Sequence, residues 1–155
     1  MDDEARETAI QYAKKYLEDI LSFFGLNTEV HATASEDEVI ELQVPSTRLN
    51  SFLIGQRGDT MRALQFTVSN ALRNNDFALN RVSVDIADYK KQRANRLMEE
   101  AGDWLKTVKA SGESMELRPM NAADRRIIHK LAAENDFISE SVGEGRDRRI
   151  ILKPS

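Results

Sequence analysis

The 155-residue sequence contains no cysteine and only two histidines. The absence of cysteine excludes a disulfide framework, thiolate ligands for a metal and a cysteine nucleophile, and it fits a reducing cytoplasm. Two histidines leave little room for a metal site or for a pair of nucleophile and base. We therefore expect a protein that is not an enzyme, with no catalytic residue, no metal and no cofactor.

The sequence also lacks a long apolar run. No segment approaches the ~18–20 apolar residues that a membrane-spanning helix needs, and the acidic first residues are unlike a signal peptide. Apolar residues make up 41% and charged residues 31% of the chain, as in a typical globular protein. A cytoplasmic protein without a membrane span is expected, built as one ordinary domain or two small ones.

The net charge of −4 hides an uneven distribution of charge. Residues 1–41 contain 11 acidic and 3 basic side chains (−8), and residues 42–155 contain 15 acidic and 19 basic side chains (+4). Binding of phosphate depends on the local field and not on the total charge. The basic part also contains the motifs described below, so weak, salt-sensitive binding of nucleic acid is compatible with the composition.

Apolar periodicity predicts a first group of helices and strands in the N-terminal half. A helix with Phe24 at the end of its apolar stripe is followed by a hairpin, two further helices and a third strand. In order, the predicted elements are a helix over Glu4–Phe24, strands at Val30–Ala34 and Ile40–Val44, a short helix capped by Ser46 or Thr47 and ending at Ile54, a helix from about Asp59, and a strand at Val82–Ile86.

A second group of elements is predicted in the C-terminal half. It consists of a helix over about Asp88–Lys109, a short strand at Ser114–Leu117, a helix over Asn121–Glu134 and a hairpin of Phe137–Val142 and Arg148–Lys153. Asn121 and Asp124 resemble a capping box at the start of the second helix.

The segment Gly55-Gln56-Arg57-Gly58 lies between two predicted amphipathic helices. Glycines let the backbone approach a sugar-phosphate chain closely, and the N–H groups at the start of the next helix attract an anion. Arg57 adds a guanidinium for a phosphate oxygen. Two glycines at this spacing arise easily by chance, so the interpretation as a phosphate-binding loop depends on the two flanking helices. The alternative is a plain bend between two helices.

Arg125 and His129 are four residues apart on a predicted helix, and they therefore share one face. An arginine fork beside an imidazole is suited to holding a phosphate and stacking on a base. The alternative is a solvated helix face that carries a surface histidine. A basic rim near the pair would consist of Arg118, Lys130, Arg146, Arg148 and Arg149.

Two stretches of the sequence resemble known nucleic-acid-binding domains. Leu53–Met61 resembles the I-G-x-x-G-x-x-hydrophobic signature of KH domains, and the order of elements around it resembles the bacterial type II arrangement. Glu116–His129 resembles the Arg-x-x-x-His domain, written R-3-H, and Arg148–Pro154 resembles the last strand of that domain. In this order, the two domains resemble the bacterial Jag family, also called KhpB or EloR.

The resemblance implies an α+β protein with a domain boundary near residue 88. Residues 1–88 would form a type II KH domain with an N-terminal extension helix, in which helices cover one face of a three-stranded sheet. Residues 89–155 would form a long linker helix and a small α/β R-3-H domain. Many family members carry a further N-terminal domain and a charged linker, and functions of that region are not expected of these residues.

The resemblance also implies a regulator or chaperone that binds single-stranded RNA, or single-stranded DNA, with a role in cell elongation, division or sporulation. Further implied partners are the small KH protein KhpA, a second copy of the chain in a homodimer, and the membrane insertase YidC. The alternative function is a protein-interaction adaptor that pairs through its KH surface, and an enzyme acting on RNA ends is a distant third. The expected RNA-binding residues are Ile54, Gly55, Gln56, Arg57, Gly58 and Arg62 in the KH loop, and Arg118, Arg125, Arg126, His129 and Arg149 in the R-3-H domain.

Overall fold

The computed structural model describes residues 2–155 and divides the chain into two compact units. The N-terminal unit ends at Lys90, and the C-terminal unit runs from Lys91 to Ser155. The mixture of helices and small sheets confirms the predicted α+β class.

The N-terminal unit contains three helices and three strands. They are α1 (Asp3–Phe23), β1 (His31–Ala34), β2 (Ile40–Val44), α2 (Asn50–Ile54), α3 (Asp59–Asn74) and β3 (Val82–Ile86). The sheet has the order β1-β2-β3, in which β1 and β2 are antiparallel and β2 and β3 are parallel. Parallel neighbours need a crossover connection, and α2, a short 3-10 turn at Gln56–Gly58 and α3 supply it.

The core of the N-terminal unit lies between one face of this sheet and the helices. Alternation in β2 buries Ile40, Leu42 and Val44 and leaves the side chains between them exposed, as the sequence predicts. The α1 stripe around Leu17 is buried as predicted. The prediction for Phe24 was wrong, because the helix ends at Phe23 and the Phe24 side chain is 42% exposed.

The start of α2 also differs from the prediction that Ser46 or Thr47 caps a helix. Thr47 Oγ1 accepts a hydrogen bond from the Leu49 N–H group at 3.2 Å, which closes a local turn. The Asn50 side chain accepts a hydrogen bond from the Thr47 N–H group at 2.7 Å. These bonds hold residues 47–49 in a turn, so the helix starts only at Asn50.

The C-terminal unit contains most of one long helix, a second helix and a small antiparallel sheet. Its elements are α4 (Tyr89–Ser111), β4 (Met115–Glu116), α5 (Ala122–Glu134), β5 (Ile138–Val142) and β6 (Arg149–Lys153), and the strand order is β4-β6-β5. The boundary between the units therefore falls in the first turn of α4. The core of the C-terminal unit combines Leu97 and Val108 of α4 with Ile128 of α5 and Ile150 of β6.

The predicted capping box at α5 was half right. Asn121 is the N-cap and accepts a hydrogen bond from the Asp124 N–H group at 2.8 Å. The Asp124 carboxylate does not complete the box. It is buried, and it accepts two hydrogen bonds from the guanidinium of Arg93 at 2.6 and 2.7 Å. Asp124 thus ties α5 to α4.

The two longest helices are amphipathic. α1 and α4 contain 21 and 23 residues, a length that would reach across a bilayer. Within residues 2–155, however, no helix combines such a length with enough apolar residues to span a membrane.

Replacing Leu17 by Ala tests the N-terminal core. Leu17 is fully buried, so Leu17→Ala should lower the free energy of unfolding by about 2–5 kcal/mol, since it leaves a cavity. Phe23→Ala on the same helix is the matched control. Its side chain is 87% exposed, and the expected change is within about 0.5 kcal/mol. Urea unfolding followed by circular dichroism measures both, and equal losses would contradict the described core.

Candidate nucleic-acid interface

The loop between α2 and α3 brings two backbone segments into contact at Gly55. Gly55 has a φ of +73°, and a Cβ atom placed on it would lie 2.8 Å from the Thr60 backbone nitrogen and closer still to Thr60 Oγ1. A side chain therefore cannot be accommodated there without moving the start of α3. Both the conformation and the close approach require glycine at this position.

The tip of the loop, Gln56-Arg57, faces solvent. Arg57 has a φ of +54°, in the left-handed region that costs a non-glycine residue about 1–2 kcal/mol. Gly58 follows with a φ of +80°, and a Cβ atom on it would lie 3.3 Å from the Tyr89 ring. Within residues 2–155, the Arg57 guanidinium has no hydrogen bond or ion pair. It is therefore available to an anion outside the chain.

Arg62, which is exposed at the start of α3, holds the loop through two contacts. Its Nη1 atom donates a hydrogen bond to the Arg57 carbonyl oxygen at 3.0 Å, and its Nη2 atom pairs with the Asp59 carboxylate. The ion pair between Arg62 and Asp59 neutralises the charge of Asp59, the acidic residue nearest to the loop. No side chain of the described residues caps the start of α3, and the Asp59 N–H group donates to the Gln56 carbonyl oxygen. The positive end of the α3 dipole is therefore without a side-chain acceptor, which favours an anion there.

A groove beside α3, called the α3 groove below, is lined by residues that, apart from Arg62, the sequence did not single out. It has a volume of about 350 Å³ and is lined by Arg62, Gln65, Phe66, Ser69 and Arg73 on one side and by Val39, Arg81 and Val82 on the other. The spacing of its α3 residues marks a second helical stripe next to the buried one. That spacing was the signal that could have revealed the groove.

The polar floor of the α3 groove is occupied by internal hydrogen bonds. Gln65 Oε1 accepts a hydrogen bond from the Val84 N–H group at 3.0 Å on the open edge of β3. Ser69 Oγ donates to the Asn80 carbonyl at 2.5 Å. Above them the Phe66 ring remains 64% exposed. The groove therefore presents an aromatic surface and cations to solvent.

In the C-terminal unit, His129 is fixed by two serines of β5. Its Nδ1 atom lies 2.6 Å from Ser139 Oγ and its Nε2 atom 2.7 Å from Ser141 Oγ. The two serines are two residues apart and therefore share one face of the strand. Both ring nitrogens are thus engaged within the chain, which the sequence did not indicate, because the serines follow His129 by 10 and 12 residues.

Burial lowers the pKa of His129 below its ordinary value of 6.5, and the charges of Arg125 and Arg148 lower it further. The imidazole is therefore neutral near pH 7. Arg125, one turn away on α5, donates from Nε to the Met120 carbonyl oxygen at 3.1 Å. The positive charge of the Arg125–His129 pair resides on the arginine, and the imidazole serves as an anchored neutral ring.

The other predicted R-3-H residues differ in how firmly they are held. Arg118 donates two hydrogen bonds to Glu100 at 2.6 and 3.1 Å and lies over the Trp104 ring at 5.3 Å. Arg149 pairs with Glu116. Arg126, in contrast, is exposed, and its side chain has no hydrogen bond or ion pair among residues 2–155.

Arg118 and Arg149 line one shallow depression, but carboxylates accompany them. Glu116 and Asp147 line the same depression, and they oppose binding of a phosphate there. Across the part of the chain that the structure describes, no group of three or more His, Asp or Glu side chains could hold a metal ion.

The family comparison decides the nature of the C-terminal unit. Residues 95–154 match the family model of the R-3-H domain. The prediction of this domain from the sequence is therefore confirmed. The match covers α4 from its second turn onward, α5 and the whole small sheet.

Curated relatives extend the likeness to the N-terminal unit. The chain is 29% identical over 150 residues to the RNA-binding protein KhpB of Clostridium symbiosum and 28% identical over 146 residues to that of Bacillus subtilis. These alignments cover 95% and 92% of this chain and 67% and 69% of the relatives. KhpB of Streptococcus pneumoniae is 30% identical over 128 residues, which are 80% of this chain and 39% of that protein.

Replacing Gly55 by Ala tests the close approach to Thr60. The substitution combines a left-handed backbone with a clash against backbone, so we expect a loss of about 2–4 kcal/mol in the free energy of unfolding. Gly25→Ala is the control. Gly25 also has a positive φ of +77°, but its Cβ would meet only the flexible tip of Arg48 at 3.2 Å. Chemical unfolding compares the variants, and an equal or smaller loss for Gly55→Ala would refute the contact.

The lowered pKa of His129 predicts a pH dependence of stability. As pH falls below 6.5, the unfolded chain binds a proton at His129 before the folded chain does, so this residue makes the free energy of unfolding decrease until the pH reaches the folded pKa. His129→Gln should remove that part of the slope. In an NMR titration, the His129 midpoint should lie below 6.5 and should move upward in Arg125→Gln. A midpoint at or above 6.5 would contradict the burial of the ring.

Proposed function

We propose that the chain belongs to the Jag family and binds single-stranded RNA, with residues 1–88 as a type II KH domain and residues 89–155 as a linker helix with the R-3-H domain. The KH interpretation is supported by the order of elements and by the β1-β2-β3 sheet with its parallel β2–β3 pair. It is also supported by relatives that are named RNA-binding proteins and align over most of both units.

The observation that carries the proposal is the geometry of the Gly55–Gly58 loop. Its backbone packs tightly against the start of α3, while Gln56 and Arg57 project into solvent. A phosphate can therefore approach the uncapped helix start and the unpaired Arg57 guanidinium together. We infer that the loop holds the sugar-phosphate backbone and that Ile54, beside Gly55, borders this contact.

The R-3-H domain supplies a second RNA-binding surface. Arg125 and the exposed Arg126 provide its charge, and the neutral His129 ring is held in a fixed position beside them. Arg118 and Arg149 act as secondary residues, because each is paired with a glutamate. Both surfaces bind RNA without cleaving it. The protein acts as a cytoplasmic RNA regulator or chaperone with a role in cell elongation, division or sporulation, and single-stranded DNA is an alternative ligand.

A protein-interaction adaptor is the second candidate function, and an exposed aromatic cluster favours it. Phe23, Phe24 and Phe52 are 87%, 42% and 53% exposed, and the rings of Phe24 and Phe52 meet edge to face at 5.2 Å. Exposed apolar clusters commonly mark protein interfaces. A second copy of this chain or the small KH protein KhpA would be the partner on this surface.

Charge reversal in the loop separates the two functions. The double variant Gln56→Asp with Arg57→Asp should weaken binding of single-stranded RNA at least about tenfold and reduce the salt dependence, because a cation near phosphate is replaced by two anions. Gln11→Asp with Lys15→Asp on α1 changes the charge by the same amount and should leave the affinity within about twofold. Fluorescence anisotropy across a salt series measures both variants. An adaptor would show no salt-dependent affinity for RNA in any of these proteins.

A further inference from the structure

We propose that the aromatic cluster of one copy of the chain, formed by Phe23, Phe24 and Phe52, inserts into an apolar groove in the C-terminal unit of a second copy. The groove lies between α4, α5 and the segment before β5, and it is called the α4–α5 groove below. This inference rests on the second candidate function, in which the aromatic cluster is a protein interface, and it names the surface that the cluster binds. It does not depend on the proposed RNA binding.

The α4–α5 groove is an unfilled apolar surface within the C-terminal unit. Its volume is about 390 Å³, in the lower part of the range for pockets that hold small molecules. Its apolar lining comes from both helices and from the segment before β5, and it consists of Met98, Leu105, Leu131 and Phe137. Met98 is 47% exposed, so an apolar occupant would remove its side chain from water and gain free energy. A groove of this size suits one or two aromatic side chains.

Gly102 keeps the α4–α5 groove open. It lies in the interior of α4 and lines the groove. A Cβ atom placed on it would meet nothing within 4 Å beyond its own stretch of helix. Glycine in the interior of a helix is less stable than alanine, so α4 loses stability at the position where a side chain would narrow the groove. A larger side chain at this position would fill the groove without a clash.

Two lysines give the α4–α5 groove a positive rim. Lys106 and Lys109 line it, and their ammonium groups have no hydrogen bond or ion pair among residues 2–155. None of the described residues that line the groove carries a carboxylate. Complementary charges favour one partner over another, so the occupant of this groove should bring negative charge next to its apolar side chains.

The aromatic cluster combines exposed rings with negative charge. Phe23 is the last residue of α1 and is 87% exposed, and the rings of Phe24 and Phe52 meet beside it in sequence and space at 5.2 Å from each other. Asp19 lies one turn before Phe23 with an exposed carboxylate, whose ion pair with Lys15 measures 3.6 Å. The last turn of α1 contains no basic residue, so no side chain of that turn balances the negative end of the helix dipole. The two lysines of the groove are suited to this position.

The charges of the two units also favour contact between copies. Residues 1–90 contain 15 acidic and 9 basic side chains (−6), and residues 91–155 contain 11 acidic and 13 basic side chains (+2). The acidic unit of one copy is attracted to the basic unit of the next, whereas two N-terminal units repel each other. A contact between different surfaces of two copies is heterologous, and it builds either a closed ring or an open chain of copies.

Filling the groove and removing a ring test the two surfaces separately. The unaltered protein should self-associate, so its mass in analytical ultracentrifugation should rise with concentration. Gly102→Leu fills the groove and Phe23→Ala removes the most exposed ring, and each should weaken self-association about 10- to 100-fold. Gly102→Ala leaves the groove largely open, and Ile138→Ala trims an exposed side chain outside both surfaces. Both controls should associate like the unaltered protein, and circular dichroism checks that every variant is folded.

A mixture of the two weakened variants distinguishes the groove contact from a contact between like surfaces. Gly102→Leu retains the aromatic cluster, and Phe23→Ala retains an open groove. Each variant alone should stay monomeric at concentrations where the unaltered protein associates, but the equimolar mixture should form a complex, because one intact cluster meets one intact groove. The complex should stop at two chains, since its remaining groove is filled and its remaining cluster lacks Phe23.

Lysine substitutions test the charge of the rim. Lys106→Gln with Lys109→Gln should weaken self-association and lower its dependence on salt, because a screened attraction is removed. Lys91→Gln with Lys153→Gln changes the charge by the same amount outside the groove and should have a smaller effect on both quantities. An equal effect of the two pairs would exclude a specific role for the rim.

Three outcomes would overturn the inference. One is self-association that Gly102→Leu leaves unchanged, another is a mixture that forms no complex, and a third is an unaltered protein that stays monomeric at every concentration. If Phe23→Ala weakens self-association and Gly102→Leu does not, the aromatic cluster is a protein interface for another surface, and the second candidate function stands without the groove. RNA binding is measured separately by anisotropy, so its proposal stands or fails independently of these results.

Discussion

The contact between Gly55 and the start of α3 is the constraint on which the candidate RNA-binding surface depends. Because no side chain fits between Gly55 and Thr60, α2 and α3 approach within backbone distance, and the intervening residues turn outward. The parallel β2–β3 pair requires a crossover, and this loop is the bend within it. The same crossover brings α3 alongside the open edge of β3, where the α3 groove forms. The loop and the α3 groove therefore both follow from the crossover between β2 and β3.

The sequence predicts the buried faces well and the local turns less well. Burial of Ile40, Leu42 and Val44 follows from the two-residue period of a strand, and most of α1 follows from helical spacing. The start of α2 does not follow from the sequence. The Asn50 side chain accepts from the Thr47 N–H group and the Thr47 hydroxyl accepts from the Leu49 N–H group, and these bonds form a turn that competes with a helix cap. The sequence shows which side chains can form such hydrogen bonds, but it does not show which of the possible bonds forms.

The same limit applies to the charged residues of the candidate site. Arginines at 57, 62, 118, 125, 126 and 149 look alike in the sequence, whereas their partners in the structure differ. Arg62, Arg118 and Arg149 are paired with acids, and Arg57 and Arg126 face solvent. Counting basic residues therefore overstates the charge available to phosphate. The weak net positive charge of residues 42–155 is concentrated on fewer side chains than the composition suggests.

His129 shows how residue spacing can predict a shared helix face without predicting the contacts of the side chain. The spacing from Arg125 placed both residues on one face of α5, but it carried no information about Ser139 and Ser141 on β5. The two serine hydroxyls hold the ring of His129 in one orientation, and the lowered pKa of His129 leaves the ring uncharged near pH 7. Its contribution to a binding surface is then shape and a fixed orientation. In the RNA-binding surface that we propose, Arg125 and Arg126 attract the strand by their charge, and His129 contributes a ring of fixed position.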